Sequence, residues 1–385
     1  MHGPKKPSQP AAMCHSGMSR RAFLKVMGVA AAGVMAASCR GLETAVPTPD
    51  LPLAKPLASP LATVSIVKAE SYDPKLIRQQ VQAALDAIGG IADIIRPGAS
   101  VAMKVNLTGG SFINSPHKAP LVESYWTHPE VVWALGELLR DAGAKKIYIV
   151  EGVYDPLSYP RSAMAEVAKA IDATLVDLNI PEPYKDYYSA AVGDGWFVYE
   201  KFPFNPVLDN IDAFVSVPKM KCHWCCGVTV AMKNLVGLGP LTLFKTKPSD
   251  TARMAFHNGP DGKEEFKARL PRVVVDLNRA RPIQLSLVDA IVTTDGGEGP
   301  WIEGTQIQRP QVLIAGKNPV ATDAVATAVM GFDPTADYPN TPFLRGDNHL
   351  NIARSLGMGT NRLEEIEVKG VPIEAVRKKF APSGA

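Results

Sequence analysis

The 385-residue sequence lacks the short motifs that mark several large enzyme classes. It has no G-x-x-x-x-G-K-S/T phosphate-binding loop and no G-x-G-x-x-G dinucleotide fingerprint. It also has no G-x-S-x-G nucleophile elbow and no H-E-x-x-H zinc-binding pair. These absences exclude the commonest ATPase, nicotinamide-dependent, hydrolase and metalloprotease mechanisms.

The sequence also has little net charge and no long apolar run in its main part. Lys and Arg together number 41, against 38 Asp and Glu. Residues 1–39 carry five of the basic residues and no acidic one, which leaves 36 basic against 38 acidic residues in the remainder. A chain with this balance does not bind nucleic acid through bulk charge. Beyond residue 40 no apolar run reaches the ~18 residues that span a bilayer, so we expect no transmembrane helix there.

The first 39 residues have the features of an export signal. The segment SRRAFLK at residues 19–25 provides a paired-arginine head, and a weakly apolar stretch rich in Ala, Gly, Val and Met follows it. This arrangement is typical of a twin-arginine signal, so we predict recognition by the twin-arginine translocase. The expected location is therefore periplasmic or otherwise extracytoplasmic.

A lipid anchor is predicted at the end of this signal. Residues 36–39 (AASC) resemble a lipoprotein cleavage site, with Cys39 as the lipidated residue that holds the protein at the membrane surface. The Pro-rich residues 40–62 then read as an extended linker. The alternative is ordinary cleavage at a nearby small residue, which releases a free exported protein.

The remaining residues predict one large α/β domain over 63–370 and a C-terminal tail over 371–385. Strand-like apolar runs alternate with helical patterns, and helices are expected to start at Pro74, Pro129 and Pro319. Short connections between such elements favour parallel strands with right-handed crossovers. We therefore predict an open, mostly parallel sheet with helices on both faces, doubly wound and Rossmann-like, without a dinucleotide fingerprint. The segment 181–206, rich in Pro and Tyr, predicts an insertion or a lid.

Polar residues follow several predicted strands, where ligands bind in open parallel sheets. These strand-end residues are Lys104, Asn106, Glu151, Lys219, Lys221 and Asp289. Groups of both signs at one edge suit an anionic ligand together with a metal ion or a proton-transfer group.

The densest group of such residues lies between Val217 and Pro240. In an extended chain the two-residue side-chain period places Lys219, Lys221 and His223 on one face. Residues 228–236 predict a short helix that carries Lys233. Cations interleaved with apolar residues favour an anion site over a solvated basic face. His223 is the best acid–base candidate from its intrinsic pKa.

The same segment resembles the family catalogued as domain of unknown function 362. The family hallmark reads roughly Pro-Lys-x-Lys-x-His, then Thr and Lys-Asn-Leu-x-Gly, and this chain has PKMKCH at 218–223, Thr229 and KNLVG at 233–237. Residues 104–106 (KVN) resemble the family's Lys-Pro-Asn, and residues 319–324 (PVATDA) match its carboxyl half. The resemblance covers about residues 64–370. The family has no agreed activity, so the resemblance implies a fold and a site but no reaction.

From these patterns we assign candidate roles to the site residues. The catalytic candidates are His223, Lys219, Lys221 and Glu298. The ligand-binding candidates are Lys104, Asn106, Lys233, Asn234 and Glu151. Asp289 and Glu298 together form a weak candidate for Mg or Ca, because hard carboxylates suit these ions.

Three cysteines, Cys222, Cys225 and Cys226, lie beside His223. Free thiols, a local disulfide and a metal site all remain open for them. Four ligands in two pairs or in one longer run are usual for an iron–sulfur cluster, and the chain has neither arrangement. We therefore do not expect an iron–sulfur cluster on this chain, and a divalent metal remains an option.

Two functions of different classes follow. The first is an exported enzyme that acts on a small anionic substrate through the Lys/His cluster and nearby carboxylates. The alternative is a non-catalytic anion-binding lipoprotein, or an accessory protein of an iron–sulfur redox system.

Overall fold

Short β-branched and apolar runs form the strands of this protein. The computed structural model describes residues 62–111, 119–259, 265 and 267–384. The strands in this part are β1 (Ala62–Lys68), β2 (Ser100–Lys104), β3 (Lys146–Glu151), β4 (Ala173–Asp177), β5 (Tyr188–Ala191), β6 (Lys201–Phe204), β7 (Ala213–Ser216), β8 (Lys219–His223), β9 (Gly227–Thr229), β10 (Leu285–Asp295), β11 (Gln306–Gln308), β12 (Val312–Gly316) and β13 (Ile366–Gly370). The predicted signal with Cys39 and most of the predicted linker lie outside the described residues.

The helices predicted at Pro74, Pro129 and Pro319 each begin with a proline that follows a capping side chain. The helices are α1 (Pro74–Ala87), α2 (Pro129–Asp141), α3 (Ser158–Arg161), α4 (Met164–Ala170), α5 (Arg269–Ala280), α6 (Pro319–Val329), α7 (His349–Ser355) and α8 (Ile373–Val376). The side chains of Asp73, His128 and Asn318 accept backbone N–H groups of the first turns of α1, α2 and α6. The expected starts at Pro74, Pro129 and Pro319 are therefore confirmed.

Most of the strands belong to one mixed sheet. Its main path is β13-β1-β12-β10-β7-β2-β3-β4, and β11 and β8 also pair with β10. The pairs from β10 through β7, β2 and β3 to β4 are parallel, whereas β12 is antiparallel to both β1 and β10. The predicted mostly parallel α/β sheet is confirmed, with an antiparallel insertion at β12.

Helices cover both faces of this sheet. Val101 and Met103 of β2 belong to an apolar cluster with α1, α2 and α4. Ala102 between them belongs to a second cluster with α5 and α7. Because successive side chains of a strand point to opposite faces, these two clusters lie on opposite sides of the sheet. No helix among the described residues is long and apolar enough to cross a bilayer.

The structure differs from the predicted helix at 228–236. Residues 227–229 form strand β9, which pairs with β8 in a hairpin, and a 3₁₀ helix occupies Lys233–Leu238. The carboxylate of Asp323 in α6 accepts the N–H groups of Ala231 and Met232 at 2.8 and 3.0 Å. These backbone groups are therefore used by a tertiary contact, which replaces the local α-helical bonds.

Two peripheral segments pack on the main sheet. The predicted insertion at 181–206 contains the β5–β6 hairpin, and Asp276 of α5 accepts three N–H groups from residues 197–199. The residues after Gly370, expected as a tail, add α8 and bury Phe380 in a third apolar cluster with α6. Ala381 bonds through its N–H to Asp295 at the end of β10.

Candidate functional site

Strand β8 places the three predicted cations of the central motif on one face. Lys219, Lys221 and His223 alternate with Met220 and Cys222, which pack in the apolar cluster around α6. The two lysines are fully buried. The two-residue side-chain period therefore holds in the folded protein, and the three polar groups face away from this apolar cluster.

Lys219 forms a buried ion pair with Asp289 of β10. The Nζ–Oδ2 distance is 2.7 Å, and Nζ also lies 3.0 Å from the Tyr72 hydroxyl and from the carbonyls of Val122 and Val292. Asp289 in turn accepts the Tyr72 hydroxyl and the N–H of His128. Burial lowers the pKa of Lys219, and the Asp289 carboxylate opposes that shift. These saturated contacts favour a structural role over the catalytic role expected from the sequence.

A second chain of buried polar contacts joins Glu151 to Lys221. Lys104 Nζ lies 2.7 Å from Glu151 Oε1 and 3.3 Å from Asn234 Oδ1. Asn106 donates from Nδ2 to the same oxygen of Asn234 at 3.0 Å and accepts from Lys221 Nζ at 2.7 Å. We call these five residues the lysine–asparagine chain. The structure thus brings together side chains from β2, β3, β8 and the 3₁₀ helix at 233–238.

Two glycines allow close packing in and beside the lysine–asparagine chain. A Cβ atom on Gly237 would lie 2.2 Å from Glu151 Oε1 and 2.7 Å from Lys104 Nζ. A Cβ atom on Gly152 would lie 2.1 Å from the Arg253 guanidinium. Any larger residue at Gly237 would displace the Lys104–Glu151 pair, which explains the Gly at the end of the KNLVG segment.

Lys221 differs from Lys104 and Lys219 because no carboxylate contacts it. Its Nζ donates to Asn106 Oδ1 and to the Tyr125 carbonyl at 2.7 and 2.8 Å. Burial lowers the pKa of Lys221 well below its ordinary value; Glu298 opposes this shift, and the neighbouring Lys233 adds to it. The positive charge of Lys221 therefore has less support than the charges of Lys104 and Lys219.

His223 is held in one orientation by the turn that follows it. Its Nδ1 accepts the N–H groups of Cys225 and Cys226 at 3.1 Å each. Nδ1 is therefore unprotonated, and the proton of the neutral ring lies on Nε2. Burial lowers the pKa of His223 well below its ordinary value, and the charge of Lys233 is the second cause of this shift. The ring is therefore neutral at pH 7.

Glu298 faces the protonated side of this ring. Its Oε1 lies 4.0 Å from His223 Nε2. The N–H of Trp224 donates to Oε2 at 3.0 Å, and the indole N–H of Trp301 donates to Oε1 at 3.3 Å. A backbone donor and an indole donor thus orient a carboxylate that keeps part of its surface accessible.

Lys233 is the cation of the cluster that has no partner among the described residues. Its side chain is 8% exposed, yet it forms neither a hydrogen bond nor an ion pair there. Burial, with a smaller contribution from the charge of Lys233, lowers the pKa of His257 to about 4 and that of His349 to about 3. Both ring nitrogens of His349 are buried without a partner. Lys233 therefore lies among neutral imidazoles and other amines, with its ammonium group uncompensated.

The described residues contain no group of three or more His, Cys, Asp or Glu side chains placed to hold a metal ion. Asp289 is occupied by Lys219 and Tyr72, whereas Glu298 belongs to the His223 end of the cluster. The structure does not bring these two carboxylates together as the weak metal pair expected from the sequence.

Cys222, Cys225 and Cys226 are free and buried thiols, so none of them is in a disulfide. Burial raises the pKa of each, and that of Cys226 rises to about 12. Thiolates are the nucleophilic and metal-binding form, so these cysteines act as packing residues in this state.

Sequence reasoning missed several residues around the site. His257 and His349 are among them, because neither has ligand-type spacing in the sequence. Tyr72 precedes α1 and contacts residues more than 140 positions away. No local pattern points to such contacts, because each of them depends on which strands are neighbours in the sheet.

Residues 101–328 match the family model described as "Domain of unknown function (DUF362)". The thylakoid-associated protein sll1697 of Synechocystis sp. is 24% identical over 284 residues, which cover 71% of this chain and 75% of that protein.

Two solved structures are similar to this chain at low identity. The lactate racemase apoprotein of Thermoanaerobacterium thermosaccharolyticum has 11% identity and a TM-score of 0.35, with 64% of this chain and 54% of that chain covered. A protein of Thermotoga maritima has 11% identity and a TM-score of 0.34, with 66% and 57% covered. The chain thus spans a little over half the length of these two proteins.

The buried Lys104–Glu151 pair predicts a charge-dependent loss of stability. Lys104→Met leaves the Glu151 carboxylate buried without its counter-ion, so we expect the free energy of unfolding to fall by about 3–5 kcal/mol. Adding Glu151→Gln should restore part of it, because the unpaired charge is removed. Urea unfolding measures both. The matched control is Lys317→Met at the exposed Lys317–Asp93 pair, for which we expect less than about 1 kcal/mol. Equal losses at the two pairs would contradict the buried ion pair.

The depressed pKa of His349 predicts a stability slope in acid. In the unfolded chain His349 takes up a proton near pH 6.5, whereas the folded protein does so only near its pKa of about 3. Stability is therefore fully present above pH 6.5 and falls as the pH drops towards 3, by about 1.4 kcal/mol per pH unit for this group. His349→Phe should make the slope between pH 6 and 4 shallower by about this amount.

Unfolding titrations in urea at several pH values check this slope. Comparison of variant and wild type isolates His349, because Asp323, whose pKa burial raises to about 8, contributes the opposite slope in both proteins. An unchanged slope would mean that His349 is solvated in the folded state.

Proposed function

Since the chain belongs to the domain of unknown function 362 family, whose name assigns no activity, we propose a function from its own side chains: it is an enzyme that binds a small anionic substrate at Lys233 and transfers a proton with Glu298 and His223. Lys219 and Lys104 are saturated by Asp289 and Glu151 and serve to hold the strand ends in place.

The unpartnered ammonium group of Lys233 is the observation that carries this proposal. A cation that is largely shielded from water gains stability when a counter-ion or hydrogen bonds compensate it. The side chain is 8% exposed, and the charged neighbours that influence it include Lys221 and Lys104. A bound carboxylate or phosphate oxygen supplies the missing charge and accepts the free N–H groups.

The orientation of His223 supports different roles for His223 and Glu298 next to the bound anion. Its Nδ1 is occupied by two backbone N–H groups, so only Nε2–H faces the cluster. A neutral imidazole of this kind donates a hydrogen bond to a substrate oxygen, which is narrower than the general acid–base role expected from the sequence. Glu298 is the base, because it is the carboxylate within 4.0 Å of that nitrogen and its oxygens are already oriented.

Anion binding is tested with inorganic phosphate and acetate as probes. We expect the melting temperature to rise with probe concentration, because a ligand that binds only the folded state stabilises it. Lys233→Met should weaken binding by about tenfold or more, since a charged hydrogen bond is lost. Lys146→Met, at an exposed lysine of β3, is the control that should bind like wild type. Equal binding by both variants would contradict the site.

Catalysis is tested separately from binding in the same proteins. Small carboxylates and phosphate esters in D₂O should show protein-dependent C–H to C–D exchange by NMR for the correct substrate class. Glu298→Gln should abolish that exchange while keeping anion-induced stabilisation, and His223→Gln should lower it by about 10²-fold. Stabilisation by anions without exchange or turnover of any compound would favour the non-catalytic binding protein.

We also propose that the protein is exported and anchored through Cys39. The paired arginines at 20–21 and the small residues before Cys39 support this location. Radioactive fatty acid fed to expressing cells should label the wild type and not Cys39→Ala. Labelling that persists in this variant would contradict the anchor, and an unlabelled but exported wild type would favour a free protein.

A further inference from the structure

A groove of about 510 Å³ opens beside the turn that carries His223. Its walls include the rings of Trp224 and Tyr338, the side chains of Arg345 and Lys267, and Leu344. The guanidinium group of Arg345 lies 4.5 Å from the centre of the Trp224 ring, and Lys267 Nζ lies 4.4 Å from that of Tyr338. The groove therefore combines two aromatic surfaces with two cations.

The charges of this groove are not balanced by its own residues. Neither Arg345 nor Lys267 forms an ion pair among the described residues, and the recorded hydrogen bond of the Arg345 side chain goes to the Gly384 carbonyl at 3.3 Å. The carboxylate that lines the groove, Glu265, lies 3.7 Å from Arg269. Among the described residues the uncompensated charge of the groove is positive, so an acidic aromatic molecule complements it better than a neutral one.

Two segments that line the groove also carry residues close to the Lys233 site. The backbone N–H of Trp224 binds Glu298, so one residue contributes to both places. Cys225, the next residue, lies within the electrostatic influence of both Lys233 and Arg345. Phe343, two residues before Arg345, packs edge-on against the ring of His349 at 6.3 Å between centroids. The segments around Trp224 and Arg345 thus link the groove to the residues near Lys233.

We propose that the anion bound at Lys233 is the acidic group of an aromatic acid or aryl phosphate whose ring lies in this groove. The inference rests on the proposed function, which supplies the anion site. Trp224 and Tyr338 provide the apolar surfaces for the ring, and Arg345 and Lys267 attract the anion and stabilise its approach.

Matched pairs of probes test the ring separately from the acidic group. Phenyl phosphate and methyl phosphate share one headgroup, as benzoate and acetate share another, and calorimetric titration gives all four affinities. We expect wild type to bind the aromatic member of a pair about tenfold more tightly, the upper size expected for an aromatic pair. The preferred pair identifies the headgroup as phosphate or carboxylate.

Three variants locate the ring. Trp224→Leu should reduce the aromatic preference to about one, and Arg345→Gln should weaken the aromatic probe. Trp196→Leu removes a 48% exposed tryptophan in the 181–206 insertion and should keep the preference at about tenfold. A preference that survives both groove variants places the ring elsewhere and overturns the inference.

The remaining outcomes separate this inference from the proposed function. Equal affinity for both members of a pair, with binding lost in Lys233→Met, overturns the groove and leaves the anion site standing. Aromatic binding that is lost with Trp224 but unaffected by Lys233→Met overturns the joint site. Absence of binding by all four probes overturns both.

Discussion

Burial of amine groups at the ends of an apolar sheet is the constraint on which this structure depends. Removing an ammonium group from water is costly, so each buried lysine needs a carboxylate or a full set of acceptors. Lys219 has Asp289 and Lys104 has Glu151 at 2.7 Å. The first pair connects β8 to β10, and the second connects β2 to β3. The Lys104–Glu151 pair also requires glycine at 237, because a Cβ atom there would collide with both side chains. The fold and the polar cluster therefore stabilise each other.

The same constraint separates structural lysines from functional ones. Lys221 has only neutral acceptors, and Lys233 has no partner among the described residues. Saturated groups cannot bind a ligand without breaking an existing contact, whereas Lys233 gains one. The proposed ligand-binding end of the site is therefore the region of Lys233, His223 and Glu298. The internal pairs hold that end in position.

Much of the fold could be predicted because local patterns dominate it. Proline with a capping residue fixes the starts of α1, α2 and α6, and uninterrupted apolar runs identify the parallel strands. The helix expected at 228–236 was wrong because Asp323, some ninety residues away, takes the backbone N–H groups of residues 231 and 232. The rule that polar residues follow parallel strands grouped Lys104, Glu151 and Lys221, which belong to one series of polar contacts in the structure. It could not distinguish a saturated lysine from a free one, since acceptors such as the Val122 and Val292 carbonyls leave no sequence signal.

The sequence by itself determined the α/β class, the positions of the polar strand ends and the common face of Lys219, Lys221 and His223, because these follow from periodicities within one element. Only the tertiary structure decided which cation pairs with which carboxylate, which nitrogen of His223 is available, and that Lys233 is left uncompensated. Those outcomes depend on burial and on contacts between strands far apart in the chain, and the energy of a charge is set by all the groups around it rather than by its neighbours in sequence.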